Sequence, residues 1–507
     1  MSIARTIGVN LFGLTGQRIE IEVDISNGLP SYALLGLPDA TLNESRDRIR
    51  AAILNSQLIW PNRKITVSLS PAWLPKSGSA FDLPIALAIL AASEQIPVEI
   101  LSKSLIIGEL SLNGEIKNVR GTLPMLLKAK ELGVTQAIVP TRNFTEASLV
   151  REMEIFGFSS LSELIDYIRT GKQIIRTPLE IENLTQNTKD FSEVAGLADA
   201  RRATEVAAAG GHHILMVGAP GAGKTMIAER LPTILPPLTE SEAIEVAGLY
   251  SIAGSWSGIT SISNMSPFVA PHHATTIPAL IGGGGNQIRP GAASLAHCGV
   301  LFIDEAPECA TGLLDSLRQP LESGEVAITR SHGTARFPAR FILVLAANPC
   351  PCGKFAGRGR GCSCTSLQVR RYLSRLSGPL LDRVDIRVRV EPPTRAELSG
   401  AAEFESSERI RSRVIRARQR ARKRFTNFGF TLNSEIPARL LREEFRAERS
   451  AMIILHDLLD REEISARGFH RILRTSWSLA DLNEREIPGR DEIRGAVALR
   501  MGYASDE

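Results

Sequence analysis

The sequence contains few aromatic residues, few cysteines and no long apolar segment. Aromatic side chains make up 5% of its 507 residues, and six residues are cysteines. No stretch approaches the roughly 18 uninterrupted apolar residues typical of a membrane-spanning helix, and the N-terminus lacks the layout of a secretory signal. So few cysteines in so long a chain do not indicate a secreted disulfide framework. These absences predict a cytoplasmic protein that does not contact a membrane.

The chain also has little excess of either sign of charge. The formal net charge is +4, with 43% hydrophobic and 22% charged residues, which is ordinary for a soluble globular protein. A net charge this small does not indicate nucleic-acid binding, so local basic clusters must carry any such argument. The chain is too long for one hydrophobic core, and its length suggests about three domains.

The order of the sequence patterns predicts three domains and one linker. Residues 1–169 alternate short β-like runs with helical ones, which indicates a mixed α/β domain. Residues 170–190 are polar and aperiodic, as expected for a linker. Residues 191–393 alternate apolar strands with helices, the pattern of a doubly wound parallel sheet. Residues 394–507 carry only helical periodicity and predict an all-α lid.

The segment GAPGAGKT is the clearest functional motif. It matches the phosphate-binding loop pattern and lies between an apolar strand and a helix, as that loop requires. Backbone N–H groups would surround phosphate oxygens, Lys224 would reach the β- and γ-phosphates, and the Thr225 hydroxyl would bind Mg²⁺. The predicted nucleotide-binding residues are Gly218, Ala219, Pro220, Gly221, Ala222, Gly223, Lys224 and Thr225.

Two further strand ends predict hydrolysis of the bound nucleotide. Asp304 and Glu305 end the apolar strand VLFIDE. Asp304 would hold Mg²⁺, and Glu305 would orient and deprotonate the attacking water. Asn348 ends the next strand, RFILVLAAN, and is predicted to polarise the same water from the other side. A simple turn role is the alternative for Asn348.

Four of the six cysteines lie within a short segment, and their spacing is C-x-C-x₉-C-x-C. Four thiolates can form a tetrahedral Zn²⁺ site that would stabilise an insertion. Reduced, unliganded thiols and a redox pair are the alternatives, and His272 and His273 are alternative ligands. Cys298 and Cys309 flank the strand VLFIDE and are predicted to be packing residues. The predicted zinc ligands are Cys350, Cys352, Cys362 and Cys364.

Beyond these motifs, the chain resembles a known family in four long segments: RPGAASLAHCGVLFIDEAPE, LLDSLRQPLESGEVAITR, ANPCPCG and LLDRVDI. Together they resemble the magnesium-chelatase-like AAA+ ATPases of the ComM/YifB family, nearly from end to end. The resemblance implies an ATP- and Mg²⁺-dependent homo-hexameric ring. In it, Arg383 resembles the arginine finger offered to the neighbouring subunit. Arg467 resembles the lid arginine called sensor 2, with Arg471 as its rival, and a surface salt bridge is the alternative for Arg383 and Arg467.

The N-terminal residues 1–169 resemble the Lon protease-like domain, which is related in fold to a ribosomal S5 domain. The resemblance places Ala80 at the nucleophile position and Leu123 at the general-base position. Neither side chain can attack a peptide or accept a proton, and the nearby Ser79 and Lys128 are out of register. The predicted fold is therefore a Lon/S5-like α+β domain without peptidase activity, an AAA+ core and a C-terminal all-α lid.

Three basic features bear on the substrate of such a motor. Arg330, His332 and Arg336 flank a turn in ITRSHGTARF, which resembles the pore-lining hairpin of related ring helicases. The loop between the cysteine pairs is basic, and Arg409–Arg424 holds nine basic residues and no acid. Such side chains would follow DNA phosphates without reading sequence. A solvated surface is the alternative for each.

The family resemblance implies a hexameric DNA translocase that moves branched DNA during recombination or natural transformation. An ATP-driven remodeller of protein complexes is the alternative from another functional class. A magnesium-chelatase motor subunit is a third possibility. The thiol-rich, basic segment that follows Asn348 argues against it, because the chelatase subunit carries an acidic sequence there.

Overall fold

The computed structural model describes residues 2–76, 78–101, 103–171, 189–255, 263–284, 288–330, 333–355, 361–394, 397 and 404–502. They form a seven-stranded mixed sheet, then a five-stranded parallel sheet, and finally a run of helices. The predicted fold class is therefore confirmed. The domain boundaries stay predictions, and most of the predicted linker lies outside the described residues. Among the described residues, no helix is both long and apolar enough to cross a bilayer.

The N-terminal region is built on the mixed sheet. Its strands are β1 (Ser2–Phe12), β2 (Thr15–Ser26), β3 (Ser31–Leu35), β4 (Lys64–Ser70), β5 (Ser104–Ile106), β6 (Glu109–Leu110), β7 (Ile116–Lys117), β8 (Gln136–Pro140) and β9 (Glu154–Phe158). Its helices are α1 (Ala40–Asn43), α2 (Ser45–Asn55), α3 (Asp82–Ala92), α4 (Thr122–Glu131), α5 (Phe144–Ala147) and α6 (Leu161–Thr170).

Residue patterns explain how this region packs. The sheet order is β3-β4-β2-β1-β5-β8-β9, and the long pair β1 and β2 is antiparallel. Alternate residues of β2, including Ile19, Ile21 and Val23, are buried because successive side chains of a strand point to opposite faces. Helix α3 is apolar on every side and is buried along its whole length. It therefore forms the centre of the N-terminal core.

The parallel sheet belongs to the second region, called the core region below. Its strands and the neighbouring hairpins are β10 (Ile214–Val217), β11 (Phe268–Val269), β12 (Gly282–Gly283), β13 (Arg289–Pro290), β14 (Val300–Ile303), β15 (Glu325–Arg330), β16 (Gly333–Pro338), β17 (Ile342–Ala347) and β18 (Ile386–Arg389). Its helices are α7 (Ala198–Gly210), α8 (Lys224–Ile234), α9 (Glu240–Ala253), α10 (Ile277–Ile281), α11 (Ala292–Leu295), α12 (Arg318–Ser323), α13 (Ser366–Leu373) and α14 (Gly378–Leu381).

The order of the parallel sheet is β11-β14-β17-β10-β18. Strands β14 and β17 are buried at every residue, as expected for a parallel sheet that is covered on both faces. In such sheets the functional loops gather at the carboxyl ends of the strands. The loops after β10, β14 and β17 are the ones that carry the predicted nucleotide site.

The C-terminal region is all-α and shares a core with the parallel sheet. Its helices are α15 (Ser407–Arg424), α16 (Ala438–Glu443), α17 (Arg449–Asp460), α18 (Ala466–Leu482) and α19 (Arg490–Met501). One continuous apolar cluster joins strand residues such as Val344 to helix residues such as Trp477. The C-terminal helices are therefore firmly packed against the core region.

Helix α15 carries the basic segment Arg409–Arg424, and much of its charge is used inside the protein. Arg413 pairs with both Glu205 and Glu405. Arg418 donates two hydrogen bonds to the backbone carbonyl of Ala208. These contacts favour a packing role for the helix over a track for DNA phosphates.

Arg424 anchors the end of this helix in a nearly buried ion pair. Its Nη1 donates to Asp481 at 3.2 Å, and its Nη2 donates to the same carboxylate. The Asp481 side chain is 1% exposed, and the guanidinium lies 4.1 Å from the centre of the Trp477 ring. Removal of the cation would leave the buried carboxylate with the Asn433 amide at 2.8 Å and the more distant Arg420, at 3.9 Å, as partners.

We expect Arg424→Ala to destabilise the C-terminal helices by about 3 kcal/mol, because a buried ion pair loses one partner. That loss corresponds to a fall of roughly 6–12 °C in apparent Tm. Arg416→Ala is the matched control, since Arg416 pairs with Glu484 at the surface and should cost below about 1 kcal/mol. Thermal unfolding followed by circular dichroism measures both variants. Equal Tm values for the two would contradict this account.

Candidate active site

The phosphate-loop segment connects β10 to α8, as its motif predicts. Lys224 is the first residue of α8, and its side chain is almost buried. The ammonium Nζ donates to the carbonyl oxygens of Gly218 at 2.6 Å and Ala219 at 3.0 Å. Burial lowers the pKa of Lys224, and the nearby Asp304 and Glu305 carboxylates oppose that shift. The loop thus encloses a cation at the N-terminus of a helix, an arrangement that favours bound phosphate.

The two predicted Mg²⁺ ligands converge beside this loop. The Thr225 hydroxyl donates to Asp304 Oδ2 at 2.9 Å, although the residues are 79 positions apart. Asp304 directly follows β14, and its other oxygen accepts from the backbone N–H of Glu305 at 2.9 Å. A hydroxyl and a carboxylate are the oxygen ligands that Mg²⁺ accepts, so the residues present fit this ion.

Asn348 lies in the same cluster, at the end of β17. Its Oδ1 accepts a hydrogen bond from Lys224 Nζ at 3.2 Å. The parallel pairing of β17 with β10 and with β14 brings these strand ends together. The structure therefore assembles Lys224, Thr225, Asp304 and Asn348 at one edge of the sheet.

Glu305 has a partner that the sequence reasoning missed. His273 Nδ1 lies 3.0 Å from Glu305 Oε2, and the two side chains are 35% and 47% exposed. His273 belongs to the loop after β11, the strand that pairs with β14. The one sequence signal for this contact is a histidine shortly after the strand that neighbours β14. The ring of His272 lies beside that of His273, with ring centres 4.1 Å apart and an angle of 35° between the ring planes.

Arg383 contacts its own chain and not the phosphate loop. Its Nη1 donates to the carbonyl of Pro379 at 2.6 Å, and its Nη2 pairs with Glu322. The side chain is 13% exposed. Within the described residues, no contact between Arg383 and the predicted nucleotide-binding residues is found.

The two lid arginines that compete for the sensor 2 role differ in their surroundings. Arg467 is 74% exposed and pairs at 3.1 Å with Asp382, the residue before Arg383. Arg471 pairs at 2.8 Å with the wholly buried Asp385. Burial would raise the pKa of Asp385, but Arg471 and His212 outweigh it and hold that pKa below its usual range. Arg471 is therefore held in a structural network, whereas Arg467 lies beside the predicted finger.

The four predicted zinc ligands converge in space. Their Sγ atoms all lie within 4.8 Å of one another. The Sγ of Cys350 is 3.3 Å from that of Cys352 and 3.7 Å from that of Cys362, and the latter two are 3.6 Å apart. A tetrahedral ion with Zn–S bonds of about 2.3 Å requires sulfur separations of about 3.8 Å. The four thiols therefore fit Zn²⁺.

The remaining cysteines and histidines do not join this cluster. Within the part of the chain that is described, the thiol group contains neither His272 nor His273. The suggestion that those histidines are zinc ligands is therefore wrong, because His273 faces Glu305 instead. Burial raises the pKa of Cys298 to about 12 and that of Cys309 to about 11, as expected for thiols that only pack.

A cavity of about 1060 Å³ lies between the N-terminal region and the core region, which contributes Ile252, Ile288 and Arg289 to its lining. Ala80 lines this cavity, and Leu123 is buried. The Ser79 hydroxyl donates to the carboxylate of Glu109, while Lys128 pairs with Glu131. No serine–lysine pair is formed among these residues.

The predicted basic hairpin is formed by β15 and β16. Arg330 ends β15 with its side chain exposed, and Arg336 lies on β16, paired with Glu325. His332 lies outside the described residues. Gly333 packs against the ring of Phe12, so the hairpin lies against the β1–β2 turn of the N-terminal region.

We expect His273→Ala to lower the kcat of ATP hydrolysis about tenfold with little change in KM, since the Glu305 carboxylate loses the donor that orients it. His273→Gln keeps a donor and should restore most of the rate. Steady-state hydrolysis of both variants measures the difference. A His273→Ala protein with the kcat of the wild type would show that this contact does not position the base.

Three family models match successive parts of the chain. "Subunit ChlI of Mg-chelatase" matches residues 21–143, "Magnesium chelatase, subunit ChlI" matches 190–398, and "Magnesium chelatase, subunit ChlI C-terminal" matches 404–500.

Several curated relatives align along almost the whole chain. An uncharacterized protein of Mycobacterium tuberculosis is 46% identical over 501 residues, which cover 99% of each chain. Competence protein ComM of Haemophilus influenzae is 38% identical over 510 residues, covering 99% of this chain and 97% of ComM. YifB of Escherichia coli is 37% identical over 490 residues, covering 96% and 95%. The chain therefore belongs to the ComM/YifB family of magnesium-chelatase-like AAA+ ATPases.

Proposed function

We propose that this protein is a ring-forming ATPase that couples ATP hydrolysis to movement along branched DNA. Family membership indicates an ATPase that uses ATP and Mg²⁺. The observation that carries the proposal is the convergence of Lys224, Thr225, Asp304 and Asn348 at one sheet edge, with Glu305 directly following Asp304. This set supplies a phosphate-binding cation, two oxygen ligands for a metal, a polar amide and a general base.

Each residue then has a distinct task in hydrolysis. Bound ATP and Mg²⁺ would supply the triphosphate and the charge neutralisation that phosphoryl transfer needs. Thr225 and Asp304 would hold the ion, and Lys224 would exchange its carbonyl partners for phosphate oxygens. Glu305 would take a proton from the attacking water. The Asn348 amide would orient that water from the opposite side.

A ring explains where Arg383 acts. Its present partners, Glu322 and Pro379, belong to its own chain. In a homo-hexamer, Arg383 would leave Glu322 and offer its guanidinium to the nucleotide of the neighbouring subunit, where it would stabilise transition-state charge. Arg467 pairs with Asp382, the residue before Arg383. In the ring, Arg467 would therefore lie at the same subunit interface as Arg383.

DNA is the substrate that the family and the hairpin favour. One relative is named a competence protein, a name that fits a role in taking up or recombining foreign DNA. Arg330 and Arg336 on the β15–β16 hairpin would contact phosphates in the ring, and His332, which lies between the two strands in the sequence, would add to them. The N-terminal region, whose Phe12 packs on Gly333, would support the hairpin as a scaffold without peptidase activity.

Zinc completes the proposed set of bound groups. We propose that Cys350, Cys352, Cys362 and Cys364 bind one structural Zn²⁺, because their sulfur separations approach those of a tetrahedral site. All four ligands lie in the described residues, on either side of a loop that the ion would close.

We expect Lys224→Ala to abolish ATP hydrolysis because the phosphates lose their cation. Glu305→Gln should bind ATP but hydrolyse it at least about a hundredfold more slowly, since the general base is lost. In the wild type, forked DNA should stimulate turnover and ATP should drive branch migration. Phosphate-release and branch-migration assays measure these effects. If no DNA changes the rate of ATP hydrolysis but a protein complex does, the result would favour the protein-complex remodeller instead.

We also expect two inactive variants to complement each other. A mixed ring of Lys224→Ala and Arg383→Ala subunits contains interfaces in which an intact Lys224 faces an intact Arg383. Partial recovery of ATPase activity on mixing, absent for either variant alone, indicates a finger supplied in trans. If mixing restores no activity although mixed rings form, the proposed role of Arg383 is wrong.

Metal analysis tests the zinc site. The wild type, purified under reducing conditions, should contain about one Zn²⁺ per chain, and Cys350→Ser/Cys352→Ser should contain none. Cys298→Ser is the control and should keep its metal, because Cys298 lies apart from the cluster. A carefully reduced wild-type protein without zinc would contradict the proposal.

A further inference from the structure

The thiol cluster directly follows the predicted water-orienting residue. Cys350 comes two residues after Asn348 and is fully buried. Asn348 in turn accepts a hydrogen bond from Lys224. Because a single residue separates the two, the position of Cys350 restricts where the backbone can place the Asn348 amide.

The turn that follows Cys350 also contacts the phosphate loop. A turn after Cys350 is closed by a hydrogen bond from the Gly353 N–H to the Cys350 carbonyl at 2.9 Å. Gly353 has φ +72°, and a Cβ at this position would lie 2.6 Å from both Cγ and Cδ of Pro220. Only glycine fits without displacing Pro220, which is part of the phosphate-binding loop.

The other end of the cluster leads toward Asp304 and Glu305. Thr365, directly after Cys364, caps α13 through a reciprocal pair of hydrogen bonds with Gln368. Beyond α13, Arg375 donates to the carbonyl of Pro307 at 3.2 Å and lies 3.5 Å from Glu308. Pro307 and Glu308 belong to the turn that follows Glu305. The segment from Cys350 to Arg375 therefore has contacts on both sides of the proposed catalytic site.

We infer that the cysteine cluster is a brace for the nucleotide site, and that Zn²⁺ bound there sets the rate of hydrolysis. The inference rests on the proposed ATPase activity and zinc site. With the ion bound, four thiolates fix both ends of the loop, so Asn348 and Pro220 keep their positions against Lys224. Without it, the two cysteine pairs are no longer held together, and Asn348 and Pro220 lose the support on which orientation of the water and of the phosphates depends. The expected defect is in kcat, because the metal-binding and base residues remain in place.

A pair of glycine variants separates contact with the phosphate loop from binding of the metal. Gly353→Ala should keep one Zn²⁺ per chain yet lower kcat about tenfold with KM little changed, because its methyl group displaces Pro220. Gly361→Ala is the matched control, since Gly361 has φ +90° and alanine is strained there as at Gly353, but a Cβ at Gly361 meets no atom of the described residues within 4 Å. This control should keep both its zinc and its kcat.

Removal of the ion tests the brace without a substitution. Wild-type protein treated with a chelator selective for Zn²⁺ over Mg²⁺ should remain folded by circular dichroism, lose about tenfold in kcat and recover on addition of Zn²⁺. Folded, zinc-free wild type with full kcat would overturn the inference, even if Gly353→Ala fails to fold. A wild type that contains zinc but hydrolyses no ATP would contradict the proposed function instead, and a reduced wild type without zinc would contradict the zinc site.

Discussion

The parallel pairing of β17 with both β10 and β14 is the constraint on which the site depends. It aligns the carboxyl ends of three strands. The phosphate loop, Asp304 and Asn348 therefore meet in space although they are far apart in the sequence. The contacts of Lys224 depend on this alignment, because its buried ammonium donates hydrogen bonds to both Gly218 and Asn348. A strand shifted by one residue would reverse the direction of its side chains and separate these groups.

The local motifs could be predicted from the sequence because their chemistry depends on adjacent residues. Glycine spacing and a flanking strand identify the loop that ends at Lys224, and an apolar run that ends in two acids identifies Asp304 and Glu305. The close pairs of cysteines indicated a metal site for the same reason, and the structure brings all four thiols together. The fold class followed from the change between strand and helix periodicity.

The rest depended on tertiary contacts that no local pattern contains. His273 contacts Glu305 only because β11 pairs with β14. Arg467 and Arg471 are four residues apart on one helix, so periodicity places them on the same face and cannot distinguish them. Their acidic partners distinguish them in the structure. Likewise, the charge of helix α15 suggested a surface for phosphates, whereas Arg413, Arg418 and Arg424 bind partners within the protein.

In the proposed ring, one chain alone does not complete this site. Lys224, Asp304 and Glu305 form one half, and Arg383 remains on Glu322 of its own chain. The most direct test is a cryo-EM structure of the protein assembled with Mg²⁺ and a non-hydrolysable ATP analogue. The account predicts a hexamer in which the Arg383 guanidinium contacts the γ-phosphate bound to the adjacent subunit's Lys224. An assembled ring in which Arg383 stays paired with Glu322, away from every nucleotide, would contradict it.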